Sequence, residues 1–345
     1  MFKPRFTITS KLLNNLKRIA ALTALLNERR FPATIMVRLE RSARELSAYS
    51  STSIEGNPLP LTEVKRILKN RPAALRDSER EVLNYNRALE ILKNKVSRKD
   101  DGFSLSLILD IHRQIMDGLA LKSRCGRLRT EPVFVNNPKT RKPAYLPPDH
   151  KDVRALMNEL VGFVQKNRGA LDPLILAGLL HKQFVIIHPF ADGNGRTGRL
   201  VTKFLLAAMG VDTFNLFSFE NYYNRNVTRY FEKVGVFGNY YELEDKTDFT
   251  EWLEYFTDGI IDELLRVGKE LQVAIATPET KLLGHHRIIL NFIEKHGFIT
   301  DRDYSKLTER AKATRALDFK KLIGLGIIER HGKGKNTNYR LMGKS

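Results

Sequence analysis

Residues His188 to Arg199 read HPFADGNGRTGR and run directly into the apolar segment LVTKFLLAAMG, Leu200 to Gly210. Leu200, Phe204 and Leu205, with Ala208 behind them, place a helix just after the Gly-Asn-Gly turn. Gly193, Asn194 and Gly195 can take backbone angles closed to most residues, so successive N–H groups can converge on an anion. A helix starting there aims its unpaired N–H groups and its dipole at the same spot, an arrangement that binds phosphate. Arg196 and Arg199 share one face of that first turn and can fork onto phosphate oxygens. Asp192 is placed as a lone carboxylate beside phosphates usually is when it holds Mg²⁺. His188, where Pro189 stops the preceding helix, can accept a proton near neutral pH as an imidazole. Taken singly, each residue fits a capped helix over a buried histidine. As a set they point to attack by a hydroxyl group on a nucleotide phosphate. No Walker-type phosphate loop occurs in the chain.

The rest of the composition agrees with an anionic ligand. The chain has 345 residues, 58 Lys+Arg against 39 Asp+Glu, and a formal charge of +19. Its length calls for two or three packed units, and its charge for partners such as nucleotides, nucleic acid or an acidic protein. Cys125 is the only cysteine, which excludes an internal disulfide and a Cys-rich zinc site and fits a reducing, cytoplasmic location. Leu12, Leu16, Ile19, Leu22 and Leu26 make the N-terminal stretch an amphipathic helix rather than a leader. No apolar run is long enough to span a bilayer, so no membrane is expected. His112, His150, His181, His285, His286, His296 and His331 show no metal-ligand spacing, and His181 reads as core.

Helical periodicity dominates. From Ser10 to about Asn94 it is broken at GNPLPL, Gly56 to Leu61, and it resumes over Leu105–Leu119. GRLRTEPVFVNNPKTRKPAYLPP carries two short β-like pieces and reads as a hairpin flap. Further helices follow, including one from about Asn221 to Val236, up to a break at Thr277-Pro278. Beyond it, three helical stretches and two strands around a Gly-Lys-rich tip give the order of a winged helix. Residues 281–345 contain 15 Lys+Arg and 6 Asp+Glu, about half of the whole excess. The expected division is 1–100, an N-terminal helical region; 101–275, a catalytic core; and 276–345, a winged-helix-like domain.

HPFADGNGRTGR matches every defining position of the H-P-F-x-D/E-G-N-G-R-x-x-R signature of the Fic family, and GRLRTEPVFV with YLPP resembles that family's flap. The resemblance implies a mainly α fold: a Fic-type helical core with a β-hairpin flap. It implies transfer of AMP from ATP, with Mg²⁺, to a Ser, Thr or Tyr hydroxyl of a target protein and of the enzyme itself. His188 would be the base, Asp192 the Mg²⁺ ligand, and Gly193, Asn194 and Gly195 the α/β-phosphate anion hole. Arg196 would hold the β-phosphate and Arg199 the γ-phosphate, with Phe190 anchoring the loop. Tyr230 and Phe231 fall where many members carry a Tyr-Tyr pair near the adenine, and Phe231 departs from that pair. The GNGR form also separates the chain from phosphate-transferring relatives, which carry a lysine in that loop.

Upstream, SSTSIEGN (Ser50 to Asn57) resembles the inhibitory helix motif of one Fic class, with Ser51, Glu55 and Gly56 at its defining positions. Glu55 would then pair with Arg199 in place of the γ-phosphate; the alternative is a helix end with Gly56 as its terminator. Some relatives also remove AMP, so a bifunctional enzyme stays open. The flap, about Arg129 to Tyr145, is expected to pair with an extended target segment. A different class of function is DNA binding through 303–340, with Lys312, Arg315, Lys320, Lys321, Lys333 and Lys335 on phosphates and the Fic part as nucleotide sensor. A homodimer is also left open.

Overall fold

In the computed structural model the described residues are 2–28, 33–72, 74–97, 102–136, 143–211, 218–276, 282–325, 327–332 and 334–342. They form two compact units, one made of Met1–Glu28 and Ala43–Arg266, the other of Arg29–Ser42 and Val267–Ser345. No helix among the described residues is long and apolar enough to cross a membrane. The break expected at Thr277-Pro278 lies outside the described residues.

The helices running through the first unit are α1 (Ser10–Glu28), α2 (Ala33–Ile54), α3 (Leu61–Asn70), α4 (Asp77–Ser97), α5 (Leu105–Met116), α6 (Val153–Asn167), α7 (Pro173–Ile187) and α8 (Asn194–Ala208). They are followed by α9 (Phe219–Arg225), α10 (Val227–Val234), the short α11 (Tyr240–Leu243) and α12 (Thr250–Ala276). The helical pattern read across Asn221–Val236 is two helices, because Asn226 leaves the helical angles and caps α10 by accepting from the Arg229 N–H. α1, α3, α4 and the part of α2 from Ala43 belong to the same unit as helices beyond residue 100, so this unit runs across the boundary expected there.

α7 is the centre of this unit. Asp172 caps it by accepting from the Leu174 N–H, and Pro173 opens its first turn, where a missing N–H costs nothing. Thirteen of its fifteen residues are buried, so the helix is enclosed on nearly every side. α8 lies on it with Gly198 against the Phe184 ring, and Trp252 of α12 donates its indole N–H to the Gly178 carbonyl at 2.8 Å. At the N-terminus, Thr9 and Asn15 hydrogen-bond Glu254 and Asp258, fixing α1 along α12.

The flap is a sheet of three short strands in the order β1 (Val135–Asn136), β2 (Pro143–Leu146) and β3 (Gly238–Asn239). β1 and β2 are antiparallel, as a hairpin requires; β3 adds in parallel to β2, which a two-strand reading did not contain. Residues 137–142, the tip of the expected hairpin, are outside the described residues.

In the second unit α13 (Gly284–His296), α14 (Asp301–Leu307) and α15 (Lys312–Gly324) precede the antiparallel pair β4 (Ile328–His331) and β5 (Asn338–Leu341), with a bridge between Ile299 and Tyr339. Ile289, Ile293, Tyr304, Phe319, Leu322 and Ile328 fill its core. Arg315 is held by both oxygens of Asp301, whereas Lys312 and Lys320 are exposed. Lys333 and the side chain of Lys335 lie outside the described residues. Ligand-capable atoms of His285, His286 and Asp318 come within 4.8 Å of one another. Arg310 already engages both Asp318 oxygens, and His286 Nδ1 accepts from the Leu283 N–H.

Candidate active site

The quoted motif folds into a C-cap, a tight loop and a helix start. His188 ends α7 with φ 50°, a left-handed angle uncommon for a non-glycine residue and often kept where it aims a functional side chain. The loop is closed by Asn194, whose amide accepts from the Phe190 N–H at 2.9 Å and donates to the Phe190 carbonyl at 2.8 Å. Gly193, at φ 78°, turns the chain into α8, and Thr197 donates back to its carbonyl at 2.8 Å. The first turn of α8 has no acceptors one turn back, so its N–H groups remain available to an anion.

Two residues without a motif signature hold this loop from behind. His112 of α5 stacks on Phe190 with ring centroids 3.7 Å apart; its Nδ1 accepts from the Gly126 N–H, and its Nε2 donates to the Asp192 carbonyl. Burial lowers its pKa to about 4, in keeping with the single-proton tautomer those bonds require. Arg129, at the root of the flap, donates to the carbonyls of His188, Glu131 and Pro148. The flap and the motif are thereby clamped together by one guanidinium.

His188, Asn194, Gly195 and Arg199 line a cavity of about 320 Å³ together with Glu55, Tyr230, Phe231 and the flap residues Val135, Asn136 and Ala144. Val185, Val234 and Val236 add apolar wall. The His188 Nδ1–H points to the Val185 carbonyl at 3.3 Å, which leaves the Nε2 lone pair as its proton acceptor. Burial lowers the His188 pKa to about 4, so the ring is neutral at pH 7. Phe231 also lines the cavity. Tyr230 is buried at 1% exposure, stacks on Tyr223 at 4.6 Å and directs its hydroxyl to His181 Nε2 at 3.1 Å. His181 also meets Thr202 and is fully buried, with its pKa pushed down to about 3 by burial.

Arg199 is completely buried, and its Nε and Nη2 donors are taken, while Nη1 reaches the Tyr230 hydroxyl at 3.5 Å. Nε donates to Ser51 Oγ at 2.7 Å, Nη2 to the Ser51 carbonyl at 2.9 Å and to Glu55 Oε1 at 2.7 Å. Glu55 lies directly over the helix start: a Cβ built on Gly195 would come 2.1 Å from Glu55 Oε1. Gly195 therefore admits a carboxylate oxygen against its backbone where any other residue would expel it. Gly56, at φ 95°, turns the chain away after Glu55.

Gly193, Asp192 and Arg196 are not on the wall of this cavity. The Asp192 side chain is 70% exposed; its Oδ1 accepts from the Gly193 N–H and from Arg196, and it lines an adjoining cavity with Arg124, Arg127 and Arg129. An exposed carboxylate with one oxygen so engaged, beside an anion-binding helix start, suits a Mg²⁺ ion shared with phosphates. Arg196 is buried between Asp192 and Glu81. A further buried set joins α2 to the core: Lys203 donates to Ser47 and pairs with Glu220 at 3.0 Å, and Tyr85 and Ser218 also donate to Glu220. Nothing in the local spacing of these residues announces that set.

Residues 102–206 match the Fic/DOC family. The protein adenylyltransferase Fic of Nematostella vectensis is 32% identical over 261 residues, 73% of this chain and 53% of that protein. Protein adenylyltransferase fic-1 of Caenorhabditis elegans is 31% identical over 182 residues, 52% of this chain and 34% of that protein. The chain thus spans about half or less of the length of these curated relatives. In fold it resembles a Fic family protein from Desulfovibrio desulfuricans over 100% of this chain and 99% of the other, with TM-score 0.67 and 21% identity. It resembles C. elegans Fic-1 over 76% of this chain and 73% of the other, with TM-score 0.61 and 23% identity. Motif, fold and these matches agree that the chain carries a Fic/DOC family domain over residues 102–206.

Proposed function

We propose that this chain is a protein adenylyltransferase that moves AMP from ATP to a Ser, Thr or Tyr hydroxyl of a target protein and of itself, and that Glu55 restrains it. The observation that carries the reading is a single cavity holding a neutral histidine base, the first turn of α8 and an arginine that a carboxylate already occupies. The anion hole at Gly193–Gly195 receives the α- and β-phosphates, Arg196 the β-phosphate and Arg199 the γ-phosphate. Phe231, with the valines beside it, packs against the adenine. The incoming hydroxyl gives its proton to His188 Nε2 as its oxygen bonds to the α-phosphorus. The bond from that phosphorus to the α–β bridging oxygen breaks, and pyrophosphate leaves. Phosphates near the ring raise the low His188 pKa, because negative charge favours the protonated form. Asp192 would hold Mg²⁺, which supplies charge neutralisation and orientation of the phosphates.

Glu55 occupies the γ-phosphate's partner, so bound ATP cannot seat its α-phosphate for in-line attack. β1 is an outer strand of its sheet, which supports an extended target segment adding to it. The reading is tested with α-labelled ATP and a cell lysate: the Glu55→Gly protein labels targets, the parent labels them weakly, and Glu55→Gly with His188→Ala does not. Equal labelling by all three removes it.

A second reading concerns the C-terminal unit alone. The only acid on α15 is Asp318, which is buried and paired, so its exposed face carries Lys312, Lys320, Ala313, Ala316 and Leu317 without a negative charge. That supports contact with the phosphates of duplex DNA by a winged-helix-like domain, with Arg315 withdrawn from the set by Asp301. Retention on DNA that falls steeply with salt sustains it; no retention at low salt removes it.

A further inference from the structure

Glu55 is not the only carboxylate from outside the motif that meets a motif arginine. Glu81 of α4 accepts from Arg196 Nη1 at 2.6 Å through Oε1, and from the Asn57 amide at 2.6 Å through Oε2. Asn57 lies two residues beyond Glu55; its amide also donates to the Ser78 carbonyl, and its own N–H returns to the Thr52 carbonyl. On the other side, Arg196 Nη2 donates to Asp192 at 3.2 Å. The Arg196 side chain is 8% exposed, its guanidinium is held from both ends, and its Nε is buried without a hydrogen-bond partner.

The two carboxylates are placed differently. Glu55 lies on the cavity wall and over Gly195, where an anion would sit. Glu81, like Arg196, is absent from that wall; it is 14% exposed and meets the arginine from α4. Burying a carboxylate is costly, and burial raises the Glu81 pKa against the pull of Arg196 and Asn57, with Glu55 and Asp192 pushing the same way as burial. A charge kept there at such a cost is not filling space. An arginine has rotamer freedom to lose on binding a phosphate, and a partner that removes it in advance favours binding.

We propose that Glu81 is a positioning residue for the nucleotide: it fixes the Arg196 guanidinium so that its unpaired N–H groups are ready for a β-phosphate. Through Asn57 it ties that arginine to the segment bearing Glu55. This rests on the nucleotide reading above, with Arg196 at the β-phosphate. Loss of Glu81 is therefore felt by nucleotides that have a β-phosphate and not by those that lack one.

The test uses the full chain with Glu55→Gly, so that the first carboxylate is already gone, and compares it with Glu55→Gly carrying Glu81→Gln. Each is titrated calorimetrically with ADP and with AMP in the presence of Mg²⁺. Glu81→Gln weakens ADP about tenfold, the scale of a lost charge-assisted hydrogen bond, and leaves AMP within about twofold. In transfer assays it raises KM for ATP more than it lowers kcat. Partial unfolding would lower both nucleotides together, so the ADP-to-AMP ratio isolates the role claimed. An unchanged ratio overturns the proposal. A rise in ADP affinity also overturns it, by making Glu81 a competitor like Glu55. If the Glu55→Gly protein binds neither nucleotide, the nucleotide reading itself fails and the proposal falls with it.

Discussion

Two sets of basic residues in this chain share a charge sign and little else. Arg196 and Arg199 are buried at the start of α8, each held by a carboxylate 115 or 144 residues away in sequence. Lys312 and Lys320 are exposed on α15, beside Leu317 at 61% exposure. A buried charge has one set of partners and one geometry, so its effect is concentrated in single atoms. An exposed lysine has many geometries and is screened by salt, so its effect is spread over neighbours. The chain's charge of +19 adds these two kinds together and cannot tell them apart.

The contrast is sharpest at the base. His188→Ala should lower AMP transfer by roughly 10²–10⁴-fold while ADP binding persists, since the ring acts on the incoming hydroxyl. Label from α-labelled ATP measures it, and a parental rate would remove His188 from the reaction. Next comes the pair at Arg199. Arg199→Ala leaves Ser51 and Glu55 without their donor and should cost about 3 kcal/mol of stability, read from the urea midpoint. Glu55→Gly should raise labelling by about tenfold, and the rise should vanish in the double variant, because the two side chains share one interaction. Additive effects would separate Glu55 from Arg199.

Acid should act on the same region. His112, His181 and His188 are held neutral, with pKa values near 4, 3 and 4, below the ordinary imidazole value. The unfolded chain therefore takes up protons first as pH falls through about 6.5, and stability drops by about 1.4 kcal/mol per histidine per pH unit until the folded values are reached. Tm measured at pH 7, 6 and 5 should fall progressively; a flat profile would deny that these rings are buried and neutral. The smallest effect belongs to the other set. Lys312→Ala with Lys320→Ala should change stability by about 0.5 kcal/mol or less and leave labelling unaltered, as expected for exposed side chains. A loss comparable to that of Arg199→Ala would erase the distinction.

Legibility followed locality. The helix start at Gly193, the turn at Gly56 and the amphipathic α1 rest on neighbours in sequence, and their residue types announce them. The Glu55–Arg199 contact spans 144 residues and was reached through a family resemblance rather than through spacing. Glu81, His112, Arg129 and the Lys203–Glu220 pair had no such aid. Each is an ordinary polar residue on a helix or loop whose partner is chosen by packing, and periodicity carries no information about partners. β3 was missed for a related reason: two residues, Gly238 and Asn239, have no alternation to read, and only their pairing with β2 defines them.

The space over Gly195 carries one more consequence. Glu55 is delivered to it by a helix pinned through Ser47 and Ser51, so on the proposed reading the carboxylate would act as a tethered competitor rather than a dissolved one. Short flexible tethers already give effective concentrations in the millimolar range, and a helix that points its side chain at the seat exceeds them. On the proposed reading, millimolar ATP alone should therefore leave most of the restraint in place. On the proposed function, release would come from whatever lifts the end of α2, so binding events at that helix would set the output.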